Sequence, residues 1–218
     1  WLEGREKGVY FDNVEDALDM SRHACFELGD IFQDPSVAEG ICDYLFYRIE
    51  QQLSDGLPTL IYLEEIWFFL RNQKMAERYD DWLRTMRKLT TGVWAATQMS
   101  AEIMAQPYFV TMADNIPNKI FLPNPEVANS AYLYRDGFGL NDQQLETIQL
   151  LEPGRNYYIK TPLGQFVADM RLSQEVITPL RSDTQARKIL HRWQAKVDEV
   201  SNWRDECMKE ILKSSEKR

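Results

Sequence analysis

The stretch that decides the fold is Thr59-Leu60-Ile61-Tyr62-Leu63-Glu64-Glu65-Ile66-Trp67-Phe68-Phe69-Leu70. Its first five residues are apolar, aromatic or β-branched without polar alternation, a pattern typical of a parallel strand that is buried on both faces. Glu64 and Glu65 follow at once and precede a second apolar run. A buried carboxylate without a partner tends to take up a proton, so two acids kept at this place indicate a bound cation.

Strands and helices alternate on both sides of this stretch. The residue pattern predicts further strands at 8–11, 24–28, 92–97 and 118–122, a late β-hairpin at 156–160 and 165–170, and helices at 35–54, 75–89, 125–134, 141–151 and 183–214. Asp34 before Pro35 is a helix start signal. The alternation predicts an α/β fold with a mostly parallel sheet flanked by helices. Residues 1–180 would form one domain, and a long C-terminal helix within 181–218 would pack on it.

The composition is that of an ordinary globular chain. Of 218 residues, 44% are hydrophobic and 27% are charged, and the net charge is −9, which argues against a general nucleic-acid coat. Cys25, Cys42 and Cys207 are far from any CxxC spacing, and His23 and His191 are widely separated. We therefore expect free thiols rather than a metal site built from these residues.

The two adjacent acids fit the Walker B pattern. Four or more apolar residues are followed there by an acid that orients Mg²⁺ and then by a glutamate that orients the attacking water. Under this interpretation Glu64 lies on the Mg²⁺ side and Glu65 polarises the water. The alternative is that both acids merely open the next helix, where carboxylates favour the positive end of the helix dipole.

Polar groups elsewhere fit the same chemistry. Thr97 and Gln98 end the next predicted strand, and an amide there can donate to a phosphate oxygen and accept from water. The second long helix leaves Arg84 and Lys88 on its far face and Arg87 on its flank. An arginine so placed suits the phosphate of a neighbouring subunit's nucleotide, although a solvated basic face explains these cations as well.

Six motifs carry a resemblance to a known family. They are Phe11–Asp16, Leu63–Trp67, Asp81–Lys88, Val93–Gln98, Lys119–Pro125 and Gly137–Leu140. In order and spacing they resemble the C-terminal ATPase domain of the large cytoplasmic ATPases of type IV secretion and conjugation, the VirB-four/TraC/TrbE group. The match covers over half of the chain.

The resemblance implies a RecA-like P-loop NTPase fold and a hexameric motor that hydrolyses Mg-ATP to power pilus biogenesis and substrate translocation. ATP and Mg²⁺ would be its cofactors. Its partners would be other secretion ATPases, inner-membrane complex proteins and the translocated protein or DNA, at the cytoplasmic side of the bacterial inner membrane. The resemblance also makes Glu65 the catalytic glutamate, Gln98 the motif glutamine and Arg87 the arginine finger that acts across a subunit boundary. Arg84 is the other candidate for the role of this finger. Glu64 stands where the family often has aspartate, so Mg²⁺ geometry would adjust through water.

One family feature is missing from the chain. No glycine is followed by Lys-Ser or Lys-Thr, so the GxxxxGK[ST] phosphate-binding loop is absent from these 218 residues. We therefore expect a piece of a longer ATPase that is inactive alone, because no backbone amides cradle the phosphates.

Two other functions stay open at this point. A DNA-translocating motor of the coupling-protein or HerA/FtsK type shares the Walker B and glutamine pattern. A non-catalytic docking module would instead use an exposed stripe of Trp193, Val197, Val200 and Trp203 on the terminal helix, although core packing explains that stripe too.

Overall fold

The computed structural model describes residues 14–16, 18–53, 55–98 and 100–215, with only the backbone of Arg87 and Ser215. The helices are α1 (Pro35–Leu53), α2 (Trp67–Leu70), α3 (Gln73–Thr85), α4 (Ser100–Met104), α5 (Phe109–Asn115), α6 (Ala131–Phe138), α7 (Asp142–Gln149), α8 (Gln174–Ile177), α9 (Thr184–Gln194) and α10 (Trp203–Ser215). The strands are β1 (Thr59–Leu63), β2 (Thr91–Ala95), β3 (Lys119–Phe121), β4 (Asn156–Thr161) and β5 (Gly164–Asp169). Short 3-10 turns span Ile31–Gln33, Met86–Leu89, Val127–Ser130 and Thr178–Leu180. The expected α/β class is confirmed.

Helix α1 begins where the sequence predicts. The Asp34 carboxylate accepts hydrogen bonds from the backbone N–H of Ser36 at 3.1 Å and of Val37 at 3.4 Å. Pro35 is the first helical residue, where a missing N–H costs nothing. The carboxylate therefore satisfies two of the backbone donors that every helix start leaves unpaired.

The strands form two separate sheets. β1 pairs with β2 in parallel, whereas β3, β4 and β5 form an antiparallel sheet in that order. Within the described residues the expectation of a mostly parallel sheet is therefore wrong. Strand β3 joins the late hairpin, with Ile120 opposite Ile159 and Phe121 opposite Tyr158. A short apolar run predicts a buried strand, but it does not specify the direction of its partner.

Strand β1 is buried on one face only, so the expectation of burial on both faces is also wrong. Ile61 is 8% exposed, but Leu60 and Tyr62 on the opposite face are 62% and 57% exposed. Trp94 of β2 lies opposite Tyr62 and is 55% exposed. The buried face packs on helices α1 to α3, and the other face of the parallel pair is an apolar surface.

The first hydrophobic cluster lies between α1, α2, α3 and β1. Trp82 of α3 is buried and meets Phe46 of α1 edge to face, with ring centroids 4.4 Å apart. Its indole N–H donates to Glu50 at 2.6 Å, and Arg78 donates to the same carboxylate at 3.0 Å. The two helices behind the parallel strands are thus joined by both packing and a shared acid. Cys42 is buried in this cluster.

The second cluster belongs to the antiparallel sheet. It contains Phe121, Val127, Leu140, Leu145, Ile148, Leu151 and Tyr158. Two lysines that lie opposite each other in this sheet donate hydrogen bonds to backbone carbonyls at the C-terminal ends of helices. Lys119 donates to the carbonyls of Ala113 and Ile116 at 3.0 Å each, and Lys160 donates to those of Phe138 at 3.0 Å and Gly139 at 2.8 Å. Burial, and then the charge of Lys160, lowers the pKa of Lys119.

The terminal segment is a helical hairpin, so the prediction of one long helix at 183–214 is wrong. Helices α9 and α10 pack on each other, and Trp193 donates to Glu210 across the pair at 2.9 Å. Arg181 donates to the carbonyl of Ile211 at 3.0 Å. Folding back buries Ala186, Ile189, Cys207 and Ile211 in a third cluster between the two helices.

The predicted strand 24–28 is not found, because this segment has no strand structure and is mostly exposed. The predicted strand 8–11 lies outside the described residues. The predicted helix at 125–134 is a 3-10 turn that leads into α6. None of the described helices has the length and apolar character that a bilayer crossing requires.

Candidate active site

The candidate site lies where β1 and β2 end side by side. Leu63 and Ala95 are the last residues in register, and the backbone N–H of Ala96 donates to the Leu63 carbonyl at 2.9 Å. The N–H of Ile66 then donates to the Ala96 carbonyl at 3.0 Å. Because parallel strands end at one edge, the residues that follow each strand emerge together. Open parallel sheets bind ligands at this edge.

The carboxylate of Glu65 is held on both oxygens. Gln98 donates from Nε2 to Oε1 at 2.8 Å, which joins the segments that follow the two strands. Trp67 donates from Nε1 to Oε2 at 2.6 Å. The structure thus brings together Glu65 and Gln98, two of the residues singled out by the sequence pattern.

The backbone of Glu65 is in the left-handed region, with φ at 51°. For a residue with a Cβ this conformation costs about 1–2 kcal/mol and persists only where its surroundings fix it. Here the Glu65 carbonyl accepts from the N–H of Phe68 at 2.9 Å, and the next N–H is bound to Ala96. The turn that carries this strain also directs the Glu65 side chain toward Gln98.

Glu64 and Thr97 lie at the same edge. Glu64 is exposed, Glu65 is half-buried, and Thr97 is half-buried. The expectation that both acids lie in apolar surroundings is therefore wrong for Glu64, because the turn after β1 points its side chain to solvent. An exposed carboxylate suits Mg²⁺, which keeps several waters and takes one or two carboxylates together with phosphate oxygens. The described residues contain no group of three or more His, Cys, Asp or Glu side chains able to hold a metal ion.

Arg84 and Lys88, two of the cations singled out in the sequence, are on the solvent side. Arg84 is 57% exposed and pairs with Asp80 one turn earlier at 2.9 Å, and Lys88 is exposed. The backbone of Arg87 lies in the 3-10 turn Met86–Leu89, and its side chain lies outside what the structure describes. The structure does not bring Arg84 to Glu65, so its role at a nucleotide stays a prediction, as does that of Arg87.

Sequence reasoning missed three residues near Glu65, which are Trp67, Arg71 and Glu102. The guanidinium carbon of Arg71 lies 4.3 Å from the centroid of the Trp67 ring, and Arg71 pairs with Glu102 at 2.8 Å. Glu102 lies on α4, the helix that follows Gln98. The only signal in the sequence is an indole donor two positions after an acid, which becomes informative once the turn at Glu65 is known.

The tryptophan stripe considered for docking lies mainly inside the terminal hairpin. Trp193 and Trp203 are half-buried and pack against the third cluster, and Val197 is 45% exposed. Packing within the hairpin therefore accounts for both tryptophans. The burial of the two tryptophans does not support an exposed docking stripe.

The chain is similar to proteins of conjugation and type IV secretion. No model of a known protein family matches it. It is 31% identical to the conjugal transfer protein TrbE of Rhizobium radiobacter over 169 residues, which cover 76% of this chain and 20% of that protein. It is 29% identical to the type IV secretion system protein VirB4 of Bartonella henselae over 175 residues, 79% of this chain and 22% of that protein. It is 35% identical to the type IV secretion system protein CagE of Helicobacter pylori over 136 residues, 62% of this chain and 13% of that protein. The chain thus spans about a fifth of the length of the curated relatives it matches.

Proposed function

Because this chain belongs to the TrbE/VirB4 family of conjugation and type IV secretion proteins, we propose that it supplies the Walker B edge of a RecA-like ATPase motor. The similarity to these proteins confirms the resemblance carried by the six sequence motifs. The motor would work as a hexamer at the cytoplasmic side of the bacterial inner membrane, with other secretion ATPases and inner-membrane complex proteins as partners. Hydrolysis of Mg-ATP would drive pilus biogenesis and the translocation of protein or DNA.

One observation carries the proposal, namely the hydrogen bond between Glu65 and Gln98 at the carboxyl edge of two parallel strands. A carboxylate that orients the attacking water and an amide that contacts the γ-phosphate must lie within reach of the same nucleotide. In this chain they lie within reach of each other. Glu64 and Thr97 lie at the same edge, where Glu64 would hold Mg²⁺ through water and Thr97 would contact the nucleotide.

Bound Mg-ATP would supply the reacting phosphate and the charge that neutralises its oxygens. The residues of this chain would do the rest: Glu65 accepts a hydrogen bond from the attacking water, and Gln98 orients that water against the phosphate. The phosphate-binding loop is absent from the 218 residues, so we propose that this chain alone does not turn over ATP.

The proposal is tested by Glu65→Gln in the complete protein that carries this chain. We expect steady-state ATP hydrolysis to fall at least about 100-fold, because the amide cannot take a proton from water. Binding of a fluorescent ATP analogue should be retained. The matched control is Glu146→Gln, which changes an exposed acid of α7 in the same way. Turnover that survives Glu65→Gln would sink the assignment.

The arginine assignments need a separate experiment, because Arg87 would act on the nucleotide of a neighbouring subunit. Arg87→Ala and Glu65→Gln subunits, each inactive alone, should regain part of their turnover when mixed. Mixing restores activity only where the two residues serve one site from different subunits. Arg84→Ala in place of Arg87→Ala distinguishes the two candidates, and failure of both mixtures would rule out an arginine acting in trans from this helix.

The motor of the coupling-protein or HerA/FtsK type remains the alternative within the same chemistry. It differs in its cargo, because such a motor translocates DNA. Stimulation of ATP turnover by double-stranded DNA, lost as salt is raised, would favour that alternative.

A further inference from the structure

Trp67 forms the second hydrogen bond to the Glu65 carboxylate, and neither the sequence motifs nor the proposed function assigns it a role. Its indole N–H lies 2.6 Å from Oε2, while Gln98 occupies Oε1 at 2.8 Å. The two donors differ in their surroundings, because Trp67 is half-buried against the first cluster and Gln98 is exposed. They also differ in chemistry. An indole is only a donor, whereas an amide donates and accepts and can exchange its partners.

The ring of Trp67 contacts Arg71, which is itself bound to the segment after β2. The Arg71 guanidinium lies over its ring at 4.3 Å and pairs with Glu102 at 2.8 Å. Side chains therefore join the segment after β1 to the segment after β2 at Glu65 with Gln98 and at Arg71 with Glu102. The indole lies between these two contacts, so its ring is fixed from both sides.

We propose that Trp67 is a positioning residue for Glu65, which holds Oε2 throughout the hydrolytic cycle and leaves Oε1 as the oxygen that serves the attacking water. The proposal rests on the proposed function. Gln98 occupies Oε1 in this structure, and its amide is free to transfer to phosphate and water when nucleotide binds. Oε1 then accepts the hydrogen bond of the water while the indole keeps the carboxylate from rotating. The strained turn at Glu65 fixes the direction in which its side chain leaves the backbone. The hydrogen bond from the indole fixes the plane of the carboxylate.

The hydrogen bond itself is tested on the 218-residue chain, without nucleotide. In a ¹⁵N-labelled sample the indole signal that disappears in Trp67→Phe belongs to Trp67. We expect Glu65→Ala to move this signal upfield because the acceptor is lost. Gln98→Ala should leave it nearly in place, because Oε2 remains. Glu146→Ala is the control for a distant acid. A Trp67 signal that responds to Glu65→Ala no more than to the control would overturn the proposal.

The role in turnover is tested by Trp67→Phe in the complete protein. Phenylalanine keeps an aromatic ring against the first cluster and under Arg71 but has no N–H. We expect kcat to fall about tenfold or more with the KM for ATP nearly unchanged, because a carboxylate that can rotate no longer holds the attacking water in the reactive geometry. Trp94→Phe is the matched control, since Trp94 is exposed on the neighbouring strand.

The two proposals fail in different ways. An unchanged kcat in Trp67→Phe, with Glu65→Gln inactive, overturns the positioning role and leaves the proposed function standing. Active Glu65→Gln overturns both. If Trp67→Phe raises the KM and leaves kcat alone, the indole serves nucleotide binding and the positioning role is wrong.

Discussion

The two sheets use their polar side chains in opposite ways. In the antiparallel sheet, Lys119 and Lys160 donate to backbone carbonyls at the ends of α5 and α6. At the edge of the parallel pair, Glu65 and Gln98 bind each other through side-chain atoms. A lysine bound to a helix end satisfies groups that have no other partner. A carboxylate bound to an exposed amide can exchange that partner for a ligand.

The polar groups of the antiparallel sheet serve structure, whereas those at the edge of the parallel pair are suited to chemistry. The second cluster contains residues that are almost fully buried, such as Ile148 at 0% exposure. The parallel pair instead presents Leu60, Tyr62 and Trp94 to solvent beside a strained turn. Stability should therefore depend strongly on the antiparallel region and weakly on the polar contacts of the parallel edge.

The largest of the effects compared between the two sheets is expected for Ile148→Ala. The side chain is fully buried in the second cluster, and deleting it should cost about 2–5 kcal/mol of unfolding free energy through lost burial and a residual cavity. The matched control is Ile120→Ala on the open face of β3, where the residue is 50% exposed and the cost should be about 1 kcal/mol or less. Urea denaturation followed by circular dichroism measures both. Equal losses would remove the contrast between the buried and open faces.

An intermediate effect is expected from Lys160→Met. The variant keeps most of the apolar stem but leaves the carbonyls of Phe138 and Gly139 without their donor, which should cost about 1–2 kcal/mol. Gln98→Ala, which removes an exposed hydrogen bond, should stay within about 0.5 kcal/mol. If Gln98→Ala destabilises the chain as much as Lys160→Met, the bond between Glu65 and Gln98 is structural and the comparison between the sheets fails.

The smallest effect is a pH dependence in the terminal hairpin. Arg181, and then the backbone N–H of Ala186, hold the pKa of Asp183 at about 2, below its usual 3.8. Because the folded state lowers this pKa, the stabilisation is complete above about pH 4 and is lost as pH falls through about 2. Thermal melts of the chain and of Asp183→Asn should differ at neutral pH and converge toward pH 2. A difference that stays constant down to pH 2 would show that the charge of Asp183 contributes nothing.

The sequence predicts local features of this fold better than its long-range pairing. Asp34 before Pro35 defines the start of α1 because the capping interaction lies within three residues. Strands β1 and β2 follow from short apolar runs. The partner of β3 does not, because an apolar run indicates burial without naming the strand that binds it. The terminal helix was predicted as continuous because its apolar stripe keeps one period, and folding back on itself is a tertiary effect.

The candidate site was predicted only as far as its residue types. Glu65 and Gln98 were identified because acids and amides after buried strands are visible in a sequence, and their contact follows from the parallel register. Trp67 was missed because its position over Glu65 depends on the positive φ of that residue, which no local pattern indicates. Arg71 and Glu102 were missed because their pairing joins residues 31 positions apart.

The three cysteines offer separate reporters of how the molecule opens. Cys25 is exposed, whereas Cys42 lies in the first cluster and Cys207 in the third. Burial, and then the charge of Asp43, raises the pKa of Cys42 to about 12, and burial also raises that of Cys207. A thiol reagent at neutral pH should therefore modify the exposed Cys25 first, because burial shields Cys42 and Cys207 and keeps their reactive thiolate form rare. The later modification of Cys42 and Cys207 would time the local unfolding of each cluster in the unaltered chain.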